Sequence, residues 1–119
     1  MTTWITICDT CKRDDWSGGD TDGERLAALI EAEAEGSDLR TRRFSCLMGC
    51  SRACNVALQS QGKLAYTLGE FTPDREAARA IVDYARLHAE SRTGQVPYRA
   101  WPEPIKGHFV TRHTPLPEE

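Results

Sequence analysis

The chain has 119 residues, 39% of them hydrophobic and 28% charged, with a formal net charge of -3. That length suits one domain that folds without covalent staples, and the mild acidity offers no basic field for nucleic acid. No run approaches the roughly 20 apolar residues of a bilayer crossing, and MTTWITICDTCK has no basic region before a long apolar core. The expectation is therefore a cytoplasmic protein with neither a nucleic-acid nor a membrane partner.

Thr3 to Cys8 (TWITIC) is β-branched and aromatic and reads as a first strand ending at a cysteine. The next segment, DTCKRDDWSGGD, is rich in Asp, Ser and Gly and reads as a loop. In TDGERLAALIEAEAEG, Thr21 and Glu24 have capping-box spacing. Leu26, Ala27, Leu29 and Ile30 form an apolar stripe, and Gly36 stops the helix. DLRTRRFSC alternates and predicts a second strand that delivers the chain to Cys46.

NVALQSQGKLAYTLGEF reads as two short strands around a turn at Gln61 and Gly62. TPDREAARAIVDYARLHAES predicts a helix with Thr72 as N-cap and Pro73 at N1, burying Ala77, Ala78, Ile81, Val82, Ala85 and His88. From Gly94 the chain is proline-rich and keeps neither period. The expected fold is α/β and thioredoxin-like: a mixed sheet of about four strands with two main helices over residues 1–93, and an extended segment, 94–119, of the same domain. Strands and crossover helix then bring both cysteine groups to the C-terminal end of the sheet, where open α/β sheets present ligands.

The five cysteines fall into two groups, CDTC near the N-terminus and Cys46, Cys50 and Cys54 in FSCLMGCSRACNVAL. In a reducing compartment disulfides are uncommon and an odd count cannot fully pair, so metal or redox chemistry is the better reading. Two pairs of thiolates suit either a [2Fe-2S] cluster or one tetrahedral zinc. A helix through all three later cysteines would separate the outer two by about 12 Å, too far for one site. The expected ligands are Cys8, Cys11, Cys46 and Cys50, with Cys54 as the alternative ligand. Gly49 would let the backbone approach a sulfide or sulfur.

CDTCK after the first strand, CLMGC, and the strand-turn-strand VALQSQGKLAYTLGEF resemble the thioredoxin-like [2Fe-2S] ferredoxins. In particular they resemble the DUF1636 family of predicted metal-binding proteins, over nearly the whole chain including VPYRAWP. The resemblance to the ferredoxins implies a two-iron cluster near the surface, electron transfer and often a homodimer. DUF1636 members are often met near cobalamin or cobalt genes, which implies that metabolic setting. Ferredoxins space their first two ligands more widely than Cys8 and Cys11, and commonly carry Gly-Pro where this chain has Ala53 and Cys54.

Lys12, Arg13, Arg40, Arg42, Arg43 and Arg52 lie near the cysteines and could offset cluster charge and steer an acidic redox partner, although such charges are more often a solvated face. His88, His108 and His113 read as structural rather than ligating, and Trp4, Trp16 and Trp101 as packing anchors. No Ser-His-Asp grouping, phosphate-binding glycine motif or paired carboxylate stands out. The resulting expectation is a one-electron carrier that serves a partner protein and is not itself an enzyme. The alternatives are a zinc-stabilised interaction module and a thiol oxidoreductase or thiol-dependent metal chaperone.

Overall fold

The structure, a computed structural model, describes residues 2–117; Met1, Glu118 and Glu119, at the ends of the two segments assigned from sequence, lie outside the described residues. The elements are β1 (Trp4–Cys8), α1 (Asp22–Ala34), β2 (Arg40–Phe44), β3 (Val56–Gln59), β4 (Ala65–Leu68), α2 (Arg75–Glu90) and β5 (Phe109–His113). They form one mixed sheet in the order β2-β1-β3-β4-β5. Only the β1–β2 pair is parallel, as its crossover through α1 requires.

Both helices follow their local signals. Thr21 Oγ1 accepts the Glu24 N–H at 3.0 Å and Glu24 returns the bond to the Thr21 N–H at 2.8 Å, the capping box expected for α1. Leu26, Ala27 and Ile30 are fully buried beside Ile5, Ile7, Val56, Leu58 and Ile81 in the core. In α2 the expected face is buried, but the cap is Asp74, whose carboxylate accepts the Ala77 N–H at 2.8 Å. Thr72 instead accepts a bond from the Arg13 guanidinium at 2.8 Å, which leaves Pro73 ahead of the helix.

The proline-rich segment contributes more than an extended surface strip. Its β5 pairs antiparallel with β4, with a register shift between Thr67 and Leu68. Phe109 packs against Tyr66, Tyr84 and Trp101 at centroid distances of 5.4, 5.2 and 4.6 Å, and Ile105 is fully buried. Trp101 is thus the packing anchor expected. Trp4 lies on the surface beneath the Arg42 guanidinium at 5.6 Å.

His88 lies fully buried in α2. Its Nε2 lies 2.7 Å from the Leu64 carbonyl, which can only accept, so Nε2 carries the proton and Nδ1 accepts from Thr3 Oγ1 at 3.0 Å. Burial, with the nearby Lys63 charge, lowers its pKa below the ordinary 6.5. The unfolded chain therefore takes up this proton first, and stability is fully present above pH 6.5 and lost as the pH falls through that value. The melting temperature should drop between about pH 7 and pH 5 in the parent chain. In His88→Gln it should be lower throughout but flatter over that window; equal pH slopes would contradict this assignment.

Candidate functional site

Parallel pairing sets the site. The register ends at Cys8 opposite Phe44, so both strands release their loops at the same end of the sheet. The Asp9 N–H donates to the Phe44 carbonyl at 3.1 Å, and the Thr10 hydroxyl reaches the Ser45 carbonyl. Gly23 lies where any Cβ would collide with the Cys8 carbonyl at 2.0 Å, so a glycine lets the start of α1 sit directly against the end of β1.

The second cysteine loop is not helical through its three cysteines; only Cys50–Arg52 forms a single 3-10 turn. Asn55, almost fully buried, donates from Nδ2 to the carbonyls of Gly49 and Arg52 at 2.8 and 2.7 Å and so ties the loop to its own base. Cys54 N–H donates to the Phe71 carbonyl at 3.3 Å, and Glu70 N–H to the Arg52 carbonyl at 2.7 Å. These bonds turn Cys54 into the core and leave Cys50 exposed.

The five thiols therefore divide by depth. Cys8, Cys11 and Cys54 are buried, Cys46 is half-buried and Cys50 exposed. Burial alone would raise the Cys8 thiol. Donation from the Cys11 thiol, the Leu47 amide, and the Thr10 hydroxyl and amide outweighs that and holds it below the ordinary thiol range. Burial, then the bond to Cys8, pushes Cys11 up to about 12, against the Asn55 amide, which acts to lower it. Burial and the Asp22 charge push Cys54 up to about 12 as well. Cys54 acts electrostatically on Cys11, and Cys8 on Cys54.

The backbone of Leu47, the residue after Cys46, acts to lower the Cys8 pKa, so the second loop reaches the surroundings of the first. The Met48 amide donates to Cys46 Sγ at 3.4 Å. This donor set suits a thiolate-bound group: sulfurs from two loops, with amide hydrogens directed at them, as second-shell partners of a cluster are. Among the described residues no three Cys, His, Asp or Glu side chains converge on one metal position. Cys8 and Cys11 are brought together, and Cys46 and Cys50 lie on the outer loop.

The neighbouring charges sort differently from their sequence order. Arg43 forms a two-bonded pair with Glu31 at 2.8 and 2.9 Å, and Arg52 pairs with Glu70 at 2.7 Å. Arg42 donates to Thr6 at 2.8 Å and lies over Trp4. Lys12 lies 4.6 Å above the Trp16 ring. Of the histidines, His108 stacks on Phe71 at 4.3 Å and donates from Nδ1 to the Gly69 carbonyl at 2.9 Å, a structural role like that of His88. The burial of Cys54 had no signal in its spacing, because it depends on Asn55 and on the segment ahead of α2.

Residues 5–115 match the family described as protein of unknown function (DUF1636). No curated protein and no solved structure matches the chain.

Graded burial predicts graded reactivity. In the reduced, metal-free chain, iodoacetamide should modify Cys50 first, then Cys46, and Cys54 last, read by peptide mass spectrometry over time. Modification of Cys54 as fast as Cys50 would contradict this arrangement of the loop.

Proposed function

We propose that the chain, which belongs to the DUF1636 family, is a small carrier of a [2Fe-2S] cluster that passes single electrons to a partner protein. The observation that carries this reading is the parallel register of β1 with β2, which ends both strands at cysteine-bearing loops tied together by the Asp9 N–H donating to the Phe44 carbonyl at 3.1 Å. It brings the two thiol groups to one end of the sheet, and the polar groups around Cys8 hold its pKa below the ordinary thiol range, favouring the thiolate, the form in which cysteine binds metal. Such a cluster, when bound, accepts and releases one electron.

The chain's own residues supply ligation and surroundings. Cys8 and Cys11 are the inner pair of ligands, and Cys46 and Cys50 the outer pair on the exposed side. The Met48 amide donates to Cys46 Sγ at 3.4 Å, and the backbones of Leu47 and Thr10 act to lower the Cys8 pKa and that of Asn55 the Cys11 pKa. Holding four thiolates on one centre requires the outer loop to close on the inner pair. Cys54 is the alternative ligand, and its burial close behind Cys8 and Cys11 gives it that claim. Exposed Phe44 and Met48 beside the outer cysteines give a partner an apolar contact near the cluster.

A second reading has its own observation. Of the neighbouring thiols in CDTC, Cys8 is held below the usual thiol range and Cys11 is pushed up to about 12, the asymmetry of a dithiol pair that attacks through one sulfur and resolves through the other. This fits a thiol oxidoreductase or a thiol-dependent metal chaperone. A zinc-stabilised interaction module uses the same four cysteines.

Single serine substitutions separate these readings on anaerobically prepared protein. Replacing Cys8, Cys11, Cys46 or Cys50 should abolish or shift the visible absorption of the cluster, while Cys54→Ser should retain it. Bleaching by Cys54→Ser with retention in Cys50→Ser would move the fourth ligand to Cys54. A colourless parent chain holding stoichiometric zinc would replace the cluster by the zinc module.

A further inference from the structure

We propose that the cavity between the first cysteine loop, the start of α1 and the residues ahead of α2 binds a small zwitterion, an α-amino acid with an apolar side chain, with Arg13 taking its carboxylate and Asp15 its ammonium group. The cavity measures about 350 Å³ and is lined by Arg13, Asp15, Trp16, Ser17, Thr72 and Pro73, with Asp22 and Arg25 also on its wall. That volume lies at the small end of the roughly 300–1,000 Å³ of ligand pockets, which suits one amino acid and not a dinucleotide.

Charge pairing inside the cavity identifies the ligand. Asp22, nearly fully buried, accepts the Arg13 amide at 2.6 Å on one oxygen and pairs with the Arg25 guanidinium through the other. That carboxylate and Arg25 thereby satisfy each other. Arg13 is left half-buried with a neutral partner for its guanidinium, the Thr72 hydroxyl at 2.8 Å, and no ion pair among the described residues. Asp15, two positions on, likewise has no ion pair among the described residues.

Two opposite charges thus line one cavity without pairing with each other. Asp22 acts on the half-buried Arg13 guanidinium through space, but its hydrogen-bonded partner is a neutral hydroxyl, and a carboxylate offers it two parallel charged bonds. With Asp22 paired to Arg25, the free charges on the wall are one guanidinium and one carboxylate, a balance that suits a zwitterion better than a dianion such as a phosphate ester, and the ammonium of an amino acid meets Asp15 directly. Trp16, fixed by donation from Nε1 to the Asp20 carbonyl at 3.0 Å, and Pro73 supply apolar surface for the ligand's side chain. None of these residues is a thiol, so this site stands or falls apart from the cluster.

The test is an NMR titration of the full-length, 15N-labelled chain with L-leucine and L-phenylalanine. In parallel arms it uses 3-phenylpropionate, which lacks the amine, and 2-phenylethylamine, which lacks the carboxylate. Shifts should centre on residues 13–18 and 72–73 and include the Trp16 indole, with L-phenylalanine binding at least about tenfold tighter than either truncated analogue. Arg13→Gln should weaken L-phenylalanine about tenfold and leave 2-phenylethylamine unaffected, and Asp15→Asn should likewise weaken L-phenylalanine about tenfold and leave 3-phenylpropionate unaffected. If Arg13→Gln loses its dispersed spectrum, Asp15→Asn, an exposed change, and the two analogues on the parent chain still decide. No localised shift with either amino acid up to about 10 mM, or equal affinity for all three phenyl compounds, would overturn the proposal.

Discussion

The parallel pairing of β1 with β2 is the constraint on which the site depends. A crossover through α1 forces both strands to run the same way, so both release their chain at one end of the sheet. The two cysteine-bearing loops are distant in sequence but are tied together at that end by the Asp9 N–H donating to the Phe44 carbonyl and by the Thr10 hydroxyl on the Ser45 carbonyl. Antiparallel pairing of the same strands would send the two groups to opposite ends. Gly23 completes the geometry by letting α1 begin against the Cys8 carbonyl.

Much of this was legible in the sequence because the signals are local. The capping box of α1, the buried face of α2, the hairpin around Gln61 and Gly62, and strands ending at Cys8 and near Cys46 all follow from side-chain period and turn chemistry. Features set by distant partners were not. β5 has one half-buried aromatic followed by exposed residues, so no alternation marks it; its place comes from the aromatic cluster around Tyr84 and from pairing with β4. Asp74 caps α2 because Thr72 is engaged by Arg13 from another loop. The basic residues near the cysteines looked like one patch, yet Arg43 and Arg52 are paired with glutamates from other elements.

The thiols follow the same division. Spacing separated the cysteines into two groups, but depth could not be read from spacing. Asn55, holding the Gly49 and Arg52 carbonyls, bends the loop so that Cys54 enters the core and Cys50 faces outward. The result is an inner, asymmetric pair with a buried third cysteine behind it and two accessible cysteines outside. The polar cavity beside Arg13 lies within charge reach of Cys54, so the loop that carries the first two cysteines has one wall toward sulfur and another toward solvent-borne ligands.

The most direct measurement is Mössbauer spectroscopy of anaerobically prepared, 57Fe-enriched protein, with iron and acid-labile sulfide counted per chain. A cluster held by paired thiolates predicts about two irons and two sulfides, with one quadrupole doublet typical of tetrahedral ferric sites coupled to a diamagnetic ground state. Iron-free protein from iron-replete cells, containing zinc or a Cys8–Cys11 disulfide, would contradict it.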